Sequence, residues 1–101
     1  MDMNAILKQA QEMQGKVAAA QEQLARTTIN GAAGGGLAAV EMNGKYDTLK
    51  LTIAPALMKE SAADAAAVIL AALKDAKTRV DATIDMVMTA ATAGMPLPNA
   101  A

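Results

Sequence analysis

The most constraining feature of this sequence is an apolar repeat near its end that is too long for a compact domain. The helical pattern runs from residue 62 to about residue 93, with apolar residues at steps of three and four: Ile69, Leu73, Ala76, Val80, Ile84, Val87 and Ala91. Thirty helical residues are about 45 Å long, whereas a compact domain of about 100 residues is only ~35 Å across. Part of the stripe must therefore project, and a second subunit would cover it.

A second helix, which also has an apolar stripe that its own chain cannot fully cover, is predicted over residues 3–25. Its apolar stripe consists of Met3, Ile6, Ala10, Met13, Val17, Ala20 and Leu24. Gly15 interrupts this helix and is either a tolerated surface glycine or the point of a close helix crossing. The two uncovered stripes predict a homodimer with helices packed across the two-fold axis, and Val80 is expected in that seam.

Three short antiparallel strands are predicted between the helices, at residues 27–30, 37–42 and 46–53. Asn43-Gly44 predicts a type I′ hairpin turn, in which both central residues have positive φ. Leu49, Leu51 and Ile53 alternate with polar residues, which predicts one buried and one solvent-facing side of the third strand. The four glycines of residues 31–36 lie between two strands, so they predict a hairpin loop; a phosphate-binding loop would lead into a helix.

These elements predict an α+β fold with a long N-terminal helix, a three-stranded antiparallel sheet and a long C-terminal helix. Pro55 ends the sheet, and Ser61 is placed to cap the last helix. Gly94 stands where a helix-ending glycine belongs, and Pro96 and Pro98 prevent the helix from continuing. We therefore expect a single domain over residues 1–94 and a flexible C-terminal tail over residues 95–101.

The residue types on which most catalytic and metal sites depend are missing. The chain has no Cys and no His, which removes thiolate nucleophiles, the usual proton-transfer group near neutral pH and the strongest zinc ligands. Asp81 and Asp85 lie one helical turn apart, but without a third ligand they predict a solvated helix face. We expect no enzyme activity, no cofactor, no metal and no small-molecule substrate.

Composition also bears on assembly and location. There is no Phe, no Trp and only one Tyr, so a core built from one chain would be thin, and a partner subunit would enlarge it. The N-terminus is acidic and polar, and no apolar run approaches the ~20 residues of a membrane span. We expect a cytoplasmic protein that has no membrane partner.

The basic residues are the candidates for a binding surface. Lys8 and Lys16 lie within about 80° of each other on the first helix, and Lys74, Lys77 and Arg79 cluster on the last. Such residues are either solvated faces or, when doubled by a dimer, contacts to the phosphates of a duplex. The net charge of −1 argues against non-specific capture of polyanions by the whole surface. Single strands are disfavoured because only one aromatic residue could stack on bases.

Five segments also form a recognisable set in order and spacing. They are ILKQAQEMQGK at 6–16, NGAAGGGL at 30–37, MNG at 42–44, LTIAPAL at 51–57 and TAGMPLP at 92–98. Together they resemble the bacterial YbaB/EbfC family of nucleoid-associated proteins over nearly the whole chain. The resemblance implies an intertwined homodimer whose long helices project like tweezers from a central sheet. It also implies duplex-DNA binding on the nucleoid, with effects on chromosome organisation or gene expression, and no catalytic residues.

The sequence departs from that family in the distal half of the last helix. Residues 83–89, TIDMVMT, contain no basic residue where relatives carry several lysines. Two functions therefore stay open. The leading one is modestly specific binding of duplex DNA through Lys8, Lys16, Lys74, Lys77 and Arg79. The alternative is a protein–protein adaptor that uses its apolar helix tips, has little DNA affinity and is linked to replication or recombination machinery.

Overall fold

The computed structural model describes residues 2–93 and has the predicted order of elements. The helices are α1 (Met3–Arg26) and α2 (Ala62–Ala91); the strands are β1 (Thr28–Ala33), β2 (Ala38–Asn43) and β3 (Thr48–Ile53); a 3₁₀ turn spans Pro55–Lys59. The α+β fold with two long helices around a three-stranded antiparallel sheet is therefore confirmed. Gly94 and the expected tail at 95–101 lie outside the described residues, and the domain boundary at residue 94 stays a prediction.

Short polar side chains set the beginnings of both helices. The Asp2 carboxylate accepts a hydrogen bond from the Asn4 N–H at 3.1 Å, and the Ser61 hydroxyl accepts one from the Asp64 N–H, also at 3.1 Å. Each bond satisfies a backbone donor that has no partner within the helix. The predicted capping role of Ser61 is confirmed.

The sheet has the strand order β1-β2-β3, and both neighbouring pairs are antiparallel. β1 continues to Ala33, three residues further than predicted, because Gly31 takes part in the ladder and pairs with Val40. The turn that follows contains Gly34, Gly35 and Gly36, all with positive φ. The glycine-rich segment is thus partly strand and partly hairpin loop.

The second hairpin is formed, but its expected type I′ turn is wrong. Neither Asn43 nor Gly44 has positive φ; Tyr46 does, at 66°. The Asn43 side chain accepts hydrogen bonds from the N–H groups of Lys45 and Asp47, at 2.8 and 3.1 Å. Asn43 and Asp47 also close the loop through their backbones, so the turn has three residues with the left-handed one last.

The core lies between α2 and the first two strands. Its buried residues are Ile29, Ala38, Val40, Met42, Leu57, Ala72, Ala76 and Val80. Small alanines on α2 bring its backbone against the sheet. Val80 is fully buried inside this core, so the expectation that it lies in a seam between subunits is wrong. The chain's own sheet occupies the middle of the α2 stripe.

β3 is left uncovered because α2 packs on β1 and β2. Leu49 and Leu51 are 55% and 44% exposed, although Leu51 pairs with the buried Val40 and therefore points to the α2 side of the sheet. In the single chain, the predicted buried face of β3 is thus formed only at Ile53, which is half-buried and packs against the core, and is wrong for Leu49 and Leu51. An apolar strip remains beside α2.

α1 attaches to the rest of the chain mainly through its C-terminal turns. Ala20 and Leu24 are its buried residues, and the Gly44 N–H donates a hydrogen bond to the Leu24 carbonyl at 2.8 Å. The extents of 68 × 27 × 16 Å and a radius of gyration of 19.2 Å, against about 13 Å for a compact domain of this length, reflect the projecting helices. Gly15 has no heavy atom within 4 Å of an added Cβ, which makes it a surface glycine. Within residues 2–93, no helix has the length and apolar character of a membrane span.

Candidate nucleic-acid interface

All five predicted basic residues are exposed on helices, but they fall into separate groups. Lys8 and Lys16 lie on α1, and the other three lie on α2. Among residues 2–93, ion pairs form between Arg26 and Glu22 and between Arg79 and Asp75. Within that part of the chain, the four lysines therefore have no carboxylate within ion-pair distance.

The α1 pair lies on the projecting part of the molecule. Eight residues separate Lys8 from Lys16, so they lie about 12 Å apart along the helix axis. Glu12 lies halfway between them, about 40° of rotation from each, and is itself exposed. This face of α1 therefore carries two positive charges with one negative charge between them.

Lys74 and Lys77 lie on the outer side of α2, about 60° apart. Lys77 lies within about 20° of Met88 in rotation, and Met88 lines a groove of about 280 Å³ together with Lys45 and Tyr46. Lys45, at the tip of the second hairpin, therefore lies on the same side of the molecule. Lys45 could not be predicted from the sequence, because only the folded hairpin brings it beside α2.

Arg79 does not belong to the Lys74–Lys77 group. It is rotated by about 160° from Lys77, and its Nε donates a hydrogen bond to Asp75 Oδ2 at 3.1 Å. The same carboxylate oxygen accepts a hydrogen bond from the Ala32 N–H, on β1, at 2.9 Å. These two donors, the Ala32 N–H above all, hold the pKa of Asp75 below its usual range. The Arg79 charge is thus partly compensated within the chain.

Asp81 is also more than a solvated acid. The hydroxyl of Tyr46 donates a hydrogen bond to Asp81 Oδ1, which ties the second hairpin to the middle of α2. This bond, followed by burial and the nearby carboxylates of Asp81 and Asp85, raises the pKa of Tyr46. Asp81 therefore has a structural role that the spacing of the acid pair did not predict.

Further out, α1 and α2 form an arm with an apolar groove between them. The groove has a volume of about 550 Å³ and is lined by Lys16, Ala19, Ala20, Gln23, Met86, Val87, Ala90 and Ala91. Met86 is 70% exposed. No basic residue follows Arg79 in the described part of α2, so the positive charge of the arm comes from α1.

The family of the chain follows from comparison with known proteins. The model of the YbaB/EbfC DNA-binding family matches residues 1–95. The chain belongs to the YbaB/EbfC family. A nucleoid-associated protein of Polynucleobacter asymbioticus is 41% identical over 95 residues, covering 92% of this chain and 86% of the relative. A nucleoid-associated protein of Brucella ovis is 38% identical over 98 residues, covering 96% of this chain and 92% of the relative.

A solved structure supports the fold of this YbaB/EbfC chain. An uncharacterised protein of Helicobacter pylori superposes with a TM-score of 0.75, at 22% sequence identity, over 86% of this chain and 92% of its own. At that identity the likeness concerns the fold alone. The family is a DNA-binding family and not an enzyme family. Within residues 2–93, no group of three or more acidic side chains is placed to hold a metal ion.

Proposed function

We propose that this YbaB/EbfC protein is a homodimer that binds the phosphate backbone of duplex DNA on the bacterial nucleoid. The observation that carries the proposal is the match of the family model to residues 1–95. The relatives named nucleoid-associated proteins support it. The arrangement of the lysines indicates where the contacts would lie.

Lys8 and Lys16 are the leading contacts. Both are exposed on α1, and Lys8 lies on the part of this helix that projects furthest from the sheet. Lys74 and Lys77 of α2, with Lys45 of the second hairpin, form a second group of candidate contacts. Arg79 is the weakest of the five candidates because Asp75 already binds its guanidinium.

The homodimer is supported by an unpartnered edge and face of the sheet. At the β1 edge, the Ala32 N–H is satisfied by Asp75 of α2, and α2 lies directly against this strand. β3 has no such neighbour within residues 2–93, and Leu49 and Leu51 expose apolar surface beside its free edge. A second copy that docks at β3 would cover this surface and satisfy the edge.

Modest sequence specificity follows from the chemistry of these contacts. Lysines that bind phosphates position a protein on DNA but do not read its sequence. The described helices carry no pair of Arg or Asn side chains arranged to bind base edges in a groove of the duplex. They also carry no aromatic side chain that could insert between base pairs and kink the duplex. We therefore propose a role in organising the chromosome or in broad effects on gene expression, with cytoplasmic and nucleoid localisation.

The test is the salt dependence of duplex binding by the purified protein. Four lysines from each of two subunits give up to eight phosphate contacts, and each contributes about 0.9 to the slope of log affinity against log salt. We expect a slope near −5 to −7 by the same rule. The pair Lys8→Ala and Lys16→Ala should flatten it by about 3 to 4 units while the dimer stays intact. An unchanged slope would mean that Lys8 and Lys16 of α1 do not contact the DNA phosphates.

The adaptor function is the second candidate, and one observation favours it. The distal half of α2 carries no base after Arg79 and exposes Met86, a flexible side chain suited to adaptable protein surfaces. If the wild-type protein fails to bind any duplex at 50 mM salt, the adaptor function replaces the DNA-binding one.

A further inference from the structure

α1 extends beyond the end of α2, so the tip of the arm has a step. The two helices run antiparallel, because Leu24 shares one pocket with Ile84, whereas the groove further out joins residues 86–91 of α2 to residues 16–23 of α1. α2 ends at Ala91, near the level of Lys16 along the α1 axis. Residues 3–15 of α1 therefore form an overhang of about 20 Å.

The overhang carries an apolar stripe that is largely open in the single chain. Met3, Ile6 and Leu7 are 72%, 44% and 56% exposed. Ala10 is also exposed, and Met13 is half-buried. Since steps of three and four residues return to the same side of a helix, these side chains form one continuous apolar surface at the tip of the arm.

This stripe is complementary to a second copy of itself that runs in the opposite direction. Antiparallel helices that place Met3 of one copy at the level of Met13 of the other also place Ile6 at the level of Ala10. In each layer a residue near the tip then faces one further in, as in an antiparallel helix pair with knobs-into-holes packing. The Met3 side chain of the second copy would reach a depression of about 440 Å³ that Ala10, Met13 and Val17 help to line.

The residues beside the stripe fit the same register. On one side, Leu7 of each copy lies about 3 Å along the axis from Leu7 of the other, so this exposed leucine gains an apolar partner. On the opposite side, Asp2 of one copy lies about 3 Å along the axis from Lys16 of the other. Opposite charges that flank an apolar seam favour one direction and register of the two helices.

We propose that two copies of this chain join at their arm tips by packing the α1 overhangs antiparallel, with Met3 beside Met13 and Ile6 beside Ala10 of the other copy. A second copy is the occupant because two equal steps close on each other. Each overhang covers the other over its whole length and stops where the partner's α2 ends. No like charges meet, because Lys8 is rotated by about 160° from Ile6 and stays on the outside.

The area of this contact indicates when it forms. Two helices that overlap over about 20 Å bury less than the ~1,200 Å² of a stable interface, so the contact is weak. It forms where copies are held close together at high effective concentration. Because the overhang is separate from β3, a protein that dimerises through β3 has two free tips, and tip contacts link such dimers into open chains.

The tip contact does not rest on DNA binding, and engineered cysteines test it without DNA because the chain has none of its own. Full-length Met3→Cys protein is mixed with Met13→Cys protein under mild oxidation. The proposed register puts the thiols of a mixed pair at one level, but those of a like pair about 15 Å apart along the axis, too far for a disulfide. We expect mixed pairs to form at least about tenfold faster than like pairs. Equal rates, or faster like pairs, would overturn the proposal.

A second measurement uses no cysteine. Leu7→Asp brings two like charges together in the contact, whereas Gln11→Asp makes the same change of charge on the outer side of α1. Light scattering up to about 1 mM protein, the range of weak contacts, should show a rising average mass for the wild type and for Gln11→Asp. Association of Leu7→Asp should be at least about tenfold weaker, because like charges face each other. Association of Leu7→Asp as strong as that of Gln11→Asp would contradict the tip contact.

Discussion

Gly31 and Ala76 meet so closely that no side chain fits between the first strand and the last helix. A Cβ built on Gly31 would lie 2.4 Å from the Ala76 backbone nitrogen. The clash is with backbone, so no rotamer change relieves it. This contact sets how closely α2 approaches the sheet and therefore how the whole core is packed.

Gly31→Ala should destabilise the protein by about 3 kcal/mol or more, because helix and strand must move apart to admit one methyl group. Gly15→Ala is the matched control: its position on α1 is open, so it should stabilise by about 0.5–1 kcal/mol through its helix propensity. Urea unfolding monitored by circular dichroism measures both. A Gly31→Ala variant as stable as the wild type would refute the close contact.

The distinction between the core of one chain and the proposed subunit interface can be tested with two acidic substitutions. Val80→Asp puts an unpaired charge in the chain's own core and should unfold the chain at a cost of several kcal/mol. Leu51→Asp puts the same charge on the exposed face of β3 and should shift the sedimentation profile from dimer to folded monomer. If Leu51→Asp leaves the dimer intact at micromolar concentration, β3 is not the interface.

Neutralising Glu12 should strengthen DNA binding. Repulsion between a carboxylate and a phosphate about 8 Å apart weakens the free energy of binding by about 0.5 kcal/mol in water. The proposed dimer has two Glu12 carboxylates, so the effect is doubled. Glu12→Gln should therefore raise the affinity for duplex DNA about fivefold at low salt. Glu60→Gln makes the same change of net charge next to the 3₁₀ turn, and should have little effect. Equal gains from both variants would indicate a response to net charge alone.

Asp75 should contribute to a loss of stability in acid. Its folded-state pKa is lowered by the Ala32 N–H and by Arg79, so its contribution is fully present above its unfolded-state pKa of about 3.9 and is lost as the pH falls through the folded value. Asp75→Asn should be less stable than wild type at pH 7, and this difference in stability should close as the pH falls below the folded-state pKa of Asp75. A difference in stability between Asp75→Asn and wild type that does not change with pH would contradict this prediction. Arg79→Gln removes only one of the two donors to Asp75, so it should reproduce only part of the loss of stability at pH 7.

The elements of this fold could be predicted from the sequence because local patterns determine them. The apolar spacing of α1 and α2, the β-branched strands and the Ser61 cap depend on neighbours within a few residues. The close approaches could not be predicted in the same way. Gly31 and Gly44 are small because they meet Ala76 and Leu24, and no local pattern in the chain identifies those partners.

In the candidate site, too, features set by local sequence could be predicted, and features that depend on the folded chain could not. Lys8 and Lys16 share a helix face, and their spacing predicted it. Lys74, Lys77 and Arg79 are close in sequence, but helical rotation places Arg79 on the other side with Asp75. The prediction of a type I′ turn at Asn43-Gly44 was wrong. The Asn43 side chain accepts hydrogen bonds from the N–H groups of Lys45 and Asp47, and the residue with left-handed backbone is Tyr46.

The attachment of α1 through Ala20 and Leu24 makes the helix a lever. Lys8 lies about 24 Å along the axis from Leu24, so a tilt of about 10° at that pivot displaces the lysine by roughly 4 Å. Small changes in the packing volume at Ala20 would thus be magnified at the tip. In the proposed dimer, substitution of one buried residue could therefore widen or narrow the span between the two α1 tips without altering any of the lysines proposed to contact DNA.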